Sequence, residues 1–340
     1  MTMNKVAVVG AGSWGTALAL LLARKGCQVI LWDFNAEHVA QLAKDRENKR
    51  HQPGHLFPDT LQMSAALAEC VSGAECVVMV VPSHGYRAVY RDLYPHLEEN
   101  ALVVSAVKGI EIESGQTMTQ IMAKEDKNDR DILFGVLSGP SFAAETAEQQ
   151  PTAVTVAFAD TQAAAAVQQL FSTEYFRVYT SSDVIGLEVS GAMKNVIAIA
   201  AGISDGLGYG LNTRAALITR GLAEITRLGV AMGGKPQTFA GLGGLGDLVL
   251  TCTGNLSRNR TVGLKLGSGL SLEQVLSEMK MVAEGVKTTK SCYHLAQAKQ
   301  VEMPILEQMY QILYHGKRCQ DAVIELFQRE LKQEVEPLIC

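Results

Sequence analysis

The first half of the chain alternates short apolar runs with amphipathic stretches. The helical stretches include SWGTALALLLARKG (13–26), a segment that begins at the capping residue Asn35, and the Ala-rich TQAAAAVQQLF (161–171). Apolar strands alternating with such helices predict βαβ units and a mostly parallel sheet. The predicted strands are KVAVVG (5–10), QVILWD (28–33), CVVMVVP (76–82), ALVVSAVKG (101–109), ILFGVLSGP (132–140), TAVTVAF (152–158) and FRVYTSS (176–182).

The strand pattern fades after about Asp183. Long stretches of small residues and amphipathic helical segments follow, divided by glycine clusters such as GLGGLGD (241–247). The amphipathic segments are SLEQVLSEMK, SCYHLAQAK and PILEQMYQILYHGK. We therefore predict two domains, an α/β domain over residues 1–183 and a mostly helical domain over residues 184–340.

Composition and charge narrow the class of protein. Of the 340 residues, 47% are hydrophobic and 19% are charged, which is enough for two globular domains with cores. The net charge of −5 argues against nucleic acid or an anionic membrane as the main partner, although a small anionic ligand is compatible with it. No targeting segment and no membrane span is expected, since no run reaches about 20 apolar residues.

The seven cysteines are scattered along the chain. They form no CxxC pair and no spacing typical of metal ligands, so we expect reduced thiols, no metal and a cytoplasmic location.

A glycine loop, GAGSWG (10–15), carries the first chemical signal. It follows a predicted strand, begins a helix, and leads to a second strand that ends at Asp33, 18 residues after Gly15. Gly10 would make the tight turn, Gly12 would let the backbone approach a pyrophosphate, and Gly15 would let the helix pack on the strand. The pyrophosphate would then rest on the helix N-terminus. This context favours a Rossmann-type dinucleotide site over an ordinary glycine turn.

The end of the second strand bears on the choice of dinucleotide. Asp33 would accept hydrogen bonds from a ribose 2′-OH and repel a 2′-phosphate, which favours NAD. No arginine follows it, because the next residues are Phe34 and Asn35. Asp33 could instead be a surface turn residue.

One lysine lies isolated in the small-residue stretch GAMKNVIAIAAGISDGLGYGLNTR (191–214). Between residues 184 and 212 the only other charged side chains are Glu188 and Asp205. On a helix, Lys194 shares its face with small or apolar neighbours: Ser190, Gly191, Ile197 and Ala198. A lysine often covers apolar surface with its stem, but the isolation of Lys194 favours a group that a ligand approaches closely.

Further polar clusters suit a phosphate-bearing substrate. SRNR (257–260) gathers hydroxyl, guanidinium and amide donors that can grip a phosphate, although it could also be a solvated basic turn. In GLGDL, Asp247 follows a glycine turn, and Lys108 comes just past an apolar strand, where parallel sheets bind ligands. SGPSFA adds the loop residues Gly139, Ser141 and Ala143.

Taken together, these motifs resemble the NAD-dependent glycerol-3-phosphate dehydrogenases. Their signature has the form G-A-x-K-N-x-x-A-x-x-x-G-x-x-D-G-x-x-x-G-x-N, and this chain matches it at Gly191, Lys194, Asn195, Asp205, Gly206, Gly210 and Asn212. GAGSWG, VVPSH, KGIE, SGPSFA, GLGDL, TCTGNLSRNR and VAEGVKT follow in the expected order. The chain is most similar to the bacterial enzymes, which reduce dihydroxyacetone phosphate to sn-glycerol 3-phosphate for phospholipid synthesis.

The resemblance implies a role for each matching residue. Lys194 would be the catalytic proton donor and acceptor. Residues around the substrate would be Lys108, Gly139, Ser141, Lys194, Asp247, Ser257, Arg258 and Asn259. Residues at the dinucleotide would be Gly10, Gly12, Ser13, Trp14, Gly15, Asp33, Phe34, Lys108, Ala143, Arg258, Val282 and Glu284. A homodimer is common among such enzymes.

The cofactor stays open at this point. Family members often carry a basic or polar residue where Phe34 stands, and the bacterial enzymes often use NADPH. Because Asp33 favours NAD and the resemblance allows NADP, we expect either NADH or NADPH to serve.

Lys194 also suits the chemistry that the resemblance implies. Reduction of a ketone at C2 needs a proton at the C2 oxygen, and a lysine transfers one efficiently if its pKa falls from about 10.4 toward the working pH. Burial and the cations Lys108 and Arg258 would lower this pKa, whereas the carboxylate of Asp247 would raise it. A phosphate held by the arginine cluster would orient C2.

Two alternatives remain. One is another dehydrogenase with a lysine on the linking helix, such as a β-hydroxyacid dehydrogenase or a ketopantoate reductase, which would not need the SRNR cluster. The other is a sensor that binds NAD(H) without turnover, which would not need Lys194 together with Asp247.

Overall fold

The computed structural model describes residues 3–127, 130–279, 283–331 and 333–334. The chain forms two compact units. One contains the residues up to Lys108 together with Gln116–Glu188, and the other contains Gly109–Gly115 together with the residues from Val189 onward. The boundary at residue 183 stays a prediction about domain organisation.

The first unit is built on one eight-stranded sheet in the order β10-β9-β8-β7-β6-β1-β2-β5. Every neighbouring pair is parallel except β8 and β9, which confirms the predicted mostly parallel sheet. All seven predicted strands form, but the edge strand β5 and the separate antiparallel pair β3–β4 were not predicted. The strands are β1 Lys5–Val9, β2 Gln28–Trp32, β3 Glu47–Asn48, β4 Gln52–Leu56, β5 Leu61–Ser64, β6 Cys76–Met79, β7 Leu102–Ser105, β8 Leu133–Ser138, β9 Thr152–Phe158 and β10 Phe176–Ser181.

The central strands are almost entirely apolar because both faces of the sheet are covered. In β1, Val6 and Val8 join one buried cluster, whereas Ala7 and Val9 join another that contains Tyr86. Helices supply the covering layers. They are α1 Ser13–Arg24, α2 Ala36–Asp45, α3 Leu67–Val71, α4 Tyr86–Leu93, α5 Met118–Glu125, α6 Ala143–Ala147 and α7 Thr161–Phe171.

The predicted cap at Asn35 is confirmed. Its side-chain oxygen accepts hydrogen bonds from the backbone N–H groups of Glu37 at 2.9 Å and His38 at 3.1 Å. These bonds satisfy donors that the first turn of α2 cannot pair internally, and they start the helix directly after the end of β2.

The second unit is mostly helical, as predicted. The described helices are α8 Val184–Gly206, α9 Leu211–Ala231, α10 Pro236–Phe239, α11 Asp247–Thr253, α12 Arg258–Gly267, α13 Leu272–Glu278, α14 Glu284–Ala298, α15 Pro304–His315 and α16 Cys319–Phe327. The helix α8 begins with the last residues of the first unit and continues into the second.

The length and mean hydropathy of α8 would allow it to cross a membrane, which the sequence analysis did not anticipate. However, 89% of its most apolar window is buried inside the protein. Such burial is typical of a core helix, whose apolar residues face other helices instead of lipid.

Candidate active site

The glycine loop lies at the point of the sheet where the strand order reverses. The strand β1 is flanked by β2 on one side and by β6 on the other. Gly10 follows β1 with φ of +123°, and a Cβ there would lie 2.7 Å from the carbonyl oxygen of Val80. A Cβ at Gly15 would lie 1.8 Å from the carbonyl oxygen of Gly10, whereas a Cβ at Gly12 would meet open space. The geometry fits the three glycine roles derived above.

Two buried side-chain amides, which were not predicted from the sequence, donate hydrogen bonds to the glycine loop. The Asn48 side-chain amide donates to the Ala11 carbonyl at 2.9 Å and to the Thr16 hydroxyl at 2.8 Å. The Gln52 amide donates to the Ser13 carbonyl at 3.2 Å. Both amides belong to the β3–β4 pair and keep the loop in shape before any ligand binds.

The N-terminus of α1 is suited to an anion. Gly12 is its capping residue and has no side chain that could occupy the first-turn N–H groups. Ser13 and Trp14 are half-buried on that turn. The residues present therefore fit the pyrophosphate of a dinucleotide.

Asp33 follows β2, next to the loop. One carboxylate oxygen accepts a hydrogen bond from the Asn35 backbone N–H at 3.0 Å, and the other lies 3.4 Å from Nδ1 of His38. The neighbouring Phe34 is 83% exposed. The carboxylate is thus fixed in orientation at the place where a ribose would lie.

Three more predicted residues meet beyond the ends of the adjacent strands β7 and β8. The Lys108 ammonium donates to the Gly139 carbonyl at 3.3 Å, and the Ser141 hydroxyl donates to the same oxygen at 3.0 Å. A Cβ at Gly139, where φ is +148°, would lie 2.8 Å from the Cα of Val154. Ala143 begins α6 after this loop.

In the second unit, Lys194 lies on α8 with its side chain only 8% exposed. Its ammonium donates hydrogen bonds to the carboxylate of Asp247 and, at 3.0 Å, to the hydroxyl of Thr251. Asp247 and Thr251 are neighbours on one face of α11, four residues apart. Thr251 was not predicted from the sequence, because it is a neutral polar residue with no local signal of a role.

The glycine turn predicted before Asp247 is a π-helical turn, Leu242–Gly246, which runs directly into α11. A Cβ at Gly244 would lie 2.1 Å from the carbonyl oxygen of Phe239. Glycine therefore lets the turn pack tightly, and Asp247 becomes the first residue of a helix and is fully buried.

The three charged residues of the apolar stretch around Lys194 all have partners. Glu188 accepts a hydrogen bond from the Thr119 backbone N–H at 2.8 Å, and burial raises the pKa of its carboxyl. Asp205 pairs with Arg214 and Arg260. Burial also raises the pKa of Cys252, beside Thr251, to about 12, so this thiol stays neutral.

The SRNR segment forms the start of α12 instead of an irregular turn. The Ser257 hydroxyl caps the helix by accepting from the Arg260 N–H at 3.2 Å. Arg258 is exposed at the first helical position. Asn259 is buried. Its amide donates to Oδ1 of Asn195 at 2.9 Å and its Oδ1 accepts from the Gly285 N–H at 2.9 Å.

The last predicted residues lie around the start of α14. Glu284 is its half-buried first residue, and Val282 lies outside the described residues. Asn195 matched the signature but was given no role from the sequence. It follows Lys194 on α8 and accepts a hydrogen bond from Asn259 on α12.

The part of the chain that the structure describes contains no group of three or more His, Cys, Asp or Glu side chains that could hold a metal. Its cysteines are free thiols, five of them buried.

A mainly apolar groove of about 530 Å³ in the second unit lies elsewhere and contains none of the predicted site residues. Ile203, Leu217, Glu224 and Met309 are among its lining residues.

Comparisons with known proteins agree in assigning a family. The profile described as "NAD-dependent glycerol-3-phosphate dehydrogenase N-terminus" matches residues 5–164, and that described as the C-terminus matches residues 183–324. The chain is 59% identical to a glycerol-3-phosphate dehydrogenase (NAD(P)+) of Desulfotalea psychrophila over 97% of this chain and 98% of the relative. It is 55% identical to that of Geobacter sulfurreducens over 97% and 99%. The crystal structure of the Coxiella burnetii glycerol-3-phosphate dehydrogenase is similar with a TM-score of 0.93 and 40% identity, covering 97% of this chain and 100% of that one.

Proposed function

The chain belongs to the NAD-dependent glycerol-3-phosphate dehydrogenase family, and we propose that it catalyses the reversible reduction of dihydroxyacetone phosphate to sn-glycerol 3-phosphate. It is an NAD(P)-dependent oxidoreductase whose product supplies glycerophospholipid synthesis. The buried cluster of Lys194, Asp247 and Thr251 is the observation that supports this chemistry best, because it positions a proton donor in an otherwise apolar helix.

In this proposal Lys194 is the general acid. When bound, a reduced nicotinamide would supply the hydride for C2 of the substrate. The C2 oxygen takes its proton from the Lys194 ammonium, which becomes a neutral amine and is later reprotonated from solvent. In the reverse direction the neutral amine removes the same proton.

Asp247 and Thr251 orient the lysine. Their oxygen atoms accept hydrogen bonds from Nζ and so restrict a side chain that would otherwise sample many rotamers. The carboxylate also stabilises the ammonium form that the reducing direction requires. An ammonium group desolvated by its helix and fixed by two acceptors interacts strongly with a developing alkoxide.

We assign the phosphate end of the substrate to Ser257, Arg258 and the N-terminus of α12. A guanidinium and the positive end of a helix both favour a phosphate dianion. The hydrogen bond from Asn259 to Asn195 joins this helix to the residue that follows Lys194. Phosphate binding is thereby coupled to the placement of C2 at the proton donor.

The dinucleotide is NAD or NADP, and we assign the loop Gly10–Gly15 to its pyrophosphate and Asp33 to its ribose. Lys108, Gly139 and Ser141 meet beyond neighbouring strand ends and are proposed to face substrate and cofactor.

We further propose a homodimer in the cytoplasm. The homodimer rests on the family resemblance, and the location is supported by the free cysteines of the described chain. Light scattering on the purified protein measures the oligomeric state.

A substrate comparison tests the proposed function. Purified protein is mixed with NADH or NADPH and with either dihydroxyacetone phosphate or dihydroxyacetone, and loss of absorbance of the reduced nicotinamide is recorded. We expect turnover with the phosphorylated ketone alone. Equal turnover of both ketones would contradict the proposed phosphate site. Saturable cofactor binding without turnover would favour a sensor that binds NAD(H).

A further inference from the structure

Asp205 lies between two arginines in the second unit. One carboxylate oxygen accepts from Nε of Arg214 at 2.9 Å and from its terminal nitrogen at 2.6 Å. The other accepts from Nε of Arg260 at 2.8 Å and lies 2.7 Å from a terminal nitrogen of that guanidinium. The Asp205 side chain is only 7% exposed, and those of Arg214 and Arg260 are 22% and 16% exposed, so the contacts are shielded from solvent.

Arg260 belongs to the first turn of α12, which carries the phosphate-binding candidates. Its backbone N–H donates to the Ser257 hydroxyl at 3.2 Å, and its guanidinium also donates to Oδ1 of Asn255 at 3.2 Å. The Asp205 carboxylate thus fixes the Arg260 side chain, and Arg260 in turn contacts Asn255 and Ser257, which precede Arg258 in the chain.

The helices α8 and α12 are in direct backbone contact next to this ion pair. A Cβ at Gly202 would lie 2.0 Å from the carbonyl oxygen of Arg260, and one at Gly206 would lie 2.3 Å from that of Leu264. On the facing helix, a Cβ at Gly263 would lie 1.9 Å from the carbonyl oxygen of Ile199. This packing fixes the distance between the two helices. An aspartate at position 205 has the length that this distance requires for contact with Arg260.

We propose that Asp205 is a positioning residue for substrate phosphate, acting through Arg260 on Arg258. The inference rests on the proposed role of Arg258 in phosphate binding. Without the carboxylate, two partly buried guanidinium groups would face one another without compensating charge. Arg260 would then lose the partner that fixes its side chain, and the first turn of α12, with Arg258, would shift.

The substitution Asp205→Asn removes the charge and keeps the length. We expect the KM for dihydroxyacetone phosphate to rise about tenfold or more, because a displacement of about 1 Å is enough to weaken an oriented contact. The value of kcat at saturation and the Kd of NADH should stay within about threefold of wild type, since Lys194 and the glycine loop are untouched.

The control is Glu224→Gln, which removes another buried carboxylate of the second unit. Glu224 accepts from the backbone N–H groups of Ile305 at 2.6 Å and Leu306 at 3.1 Å and touches none of the site residues. It should change the thermal midpoint without changing the KM. A general loss of stability would move both variants alike, whereas positioning moves the KM of Asp205→Asn alone.

A double-mutant cycle with Arg258→Ala decides whether Asp205 acts through Arg258. In that background, Asp205→Asn should change the KM by less than about twofold. The positioning role would be overturned if the two substitutions changed the KM additively. It would also be overturned if Arg258→Ala raised the KM and Asp205→Asn did not. Either result would leave the proposed phosphate site intact. An unchanged KM in Arg258→Ala would instead contradict the proposed phosphate site.

If Asp205→Asn does not fold, Arg260→Lys makes the same test. It keeps the charge and removes the planar two-nitrogen contact with the carboxylate. A raised KM with normal kcat supports positioning, and a KM equal to wild type contradicts it.

Discussion

The ammonium of Lys194 donates a hydrogen bond to the carboxylate of Asp247, and the two side chains are 8% and 1% exposed. A charge pair this deeply buried is costly to break, because the remaining partner keeps its desolvation penalty and loses its counter-charge. The pair therefore combines two properties, a fixed proton donor and a large dependence of stability on either partner.

The first prediction concerns stability. Asp247→Ala should lower the free energy of unfolding by about 3–5 kcal/mol, since it removes the carboxylate that balances the buried Lys194 ammonium. Urea titrations followed by circular dichroism measure the loss. Adding Lys194→Met removes the buried positive charge and should recover part of the stability. If the second substitution instead lowered the stability further, as an ordinary substitution in the core does, the pairing argument would be contradicted.

The second prediction concerns substrate phosphate. Arg258→Ala should raise the KM for dihydroxyacetone phosphate by about 10- to 100-fold, because hydrogen bonds to charged groups contribute about 1.5–3 kcal/mol. Steady-state kinetics at saturating NADH measure it. The matched control is Arg318→Ala, which removes the same charge from a side chain that is 76% exposed. Equal KM values in the two variants would take Arg258 out of the phosphate site.

The third prediction concerns the dinucleotide. Asp33→Ala removes a carboxylate fixed by Asn35, which would accept from a ribose 2′-OH and repel a 2′-phosphate. The ratio of kcat/KM for NADPH to that for NADH should rise at least about tenfold, a change of about 1.4 kcal/mol. Asp59→Ala, on an exposed loop of the same unit, controls for net charge. A ratio unchanged in Asp33→Ala would remove Asp33 from the ribose site.

The fourth prediction concerns pH. Burial raises the pKa of Glu224 from 4.5 to about 7, opposed by the N–H groups of Ile305 and Leu306. Between these two values the folded state keeps its proton while the unfolded state has lost it, so stability falls as pH rises from about 4.5 to 7 and is level above. The contribution is about 3 kcal/mol.

Glu224→Gln isolates this effect. The stability of wild type relative to the variant should fall by about 3 kcal/mol between pH 5 and pH 8. Two parallel pH profiles would show that Glu224 does not titrate in this range.

The central strands could be predicted from the sequence because burial on both faces leaves them apolar at nearly every position. The missed elements lie where that signal is absent. The edge strand β5, LQMS, is short and half polar, and β4, QPGHL, contains Pro and Gly, which are typical of loops. Periodicity cannot detect such strands, because their pairing depends on neighbours distant in sequence.

The candidate site was predictable where a residue conflicts with its surroundings. Lys194 stood out as a charge in an apolar stretch, and the glycine loop stood out by its spacing. Thr251 and Asn48 are neutral polar residues with no local anomaly, and the partners of Asn48 lie 32 and 37 positions away. Their roles follow only from the three-dimensional arrangement.

The most direct test of the central claim compares wild type with Lys194→Met, which keeps the length of the side chain and removes the amine. The measurement is the rate of NADH oxidation by dihydroxyacetone phosphate at saturation, with cofactor binding followed by fluorescence. The control is Lys265→Met, at a half-buried lysine of α12 that pairs with Glu278. General acid catalysis by Lys194 requires a fall in kcat of about 10²- to 10⁴-fold in Lys194→Met, with the Kd of NADH nearly unchanged. A kcat within a fewfold of wild type would show that another group donates the proton.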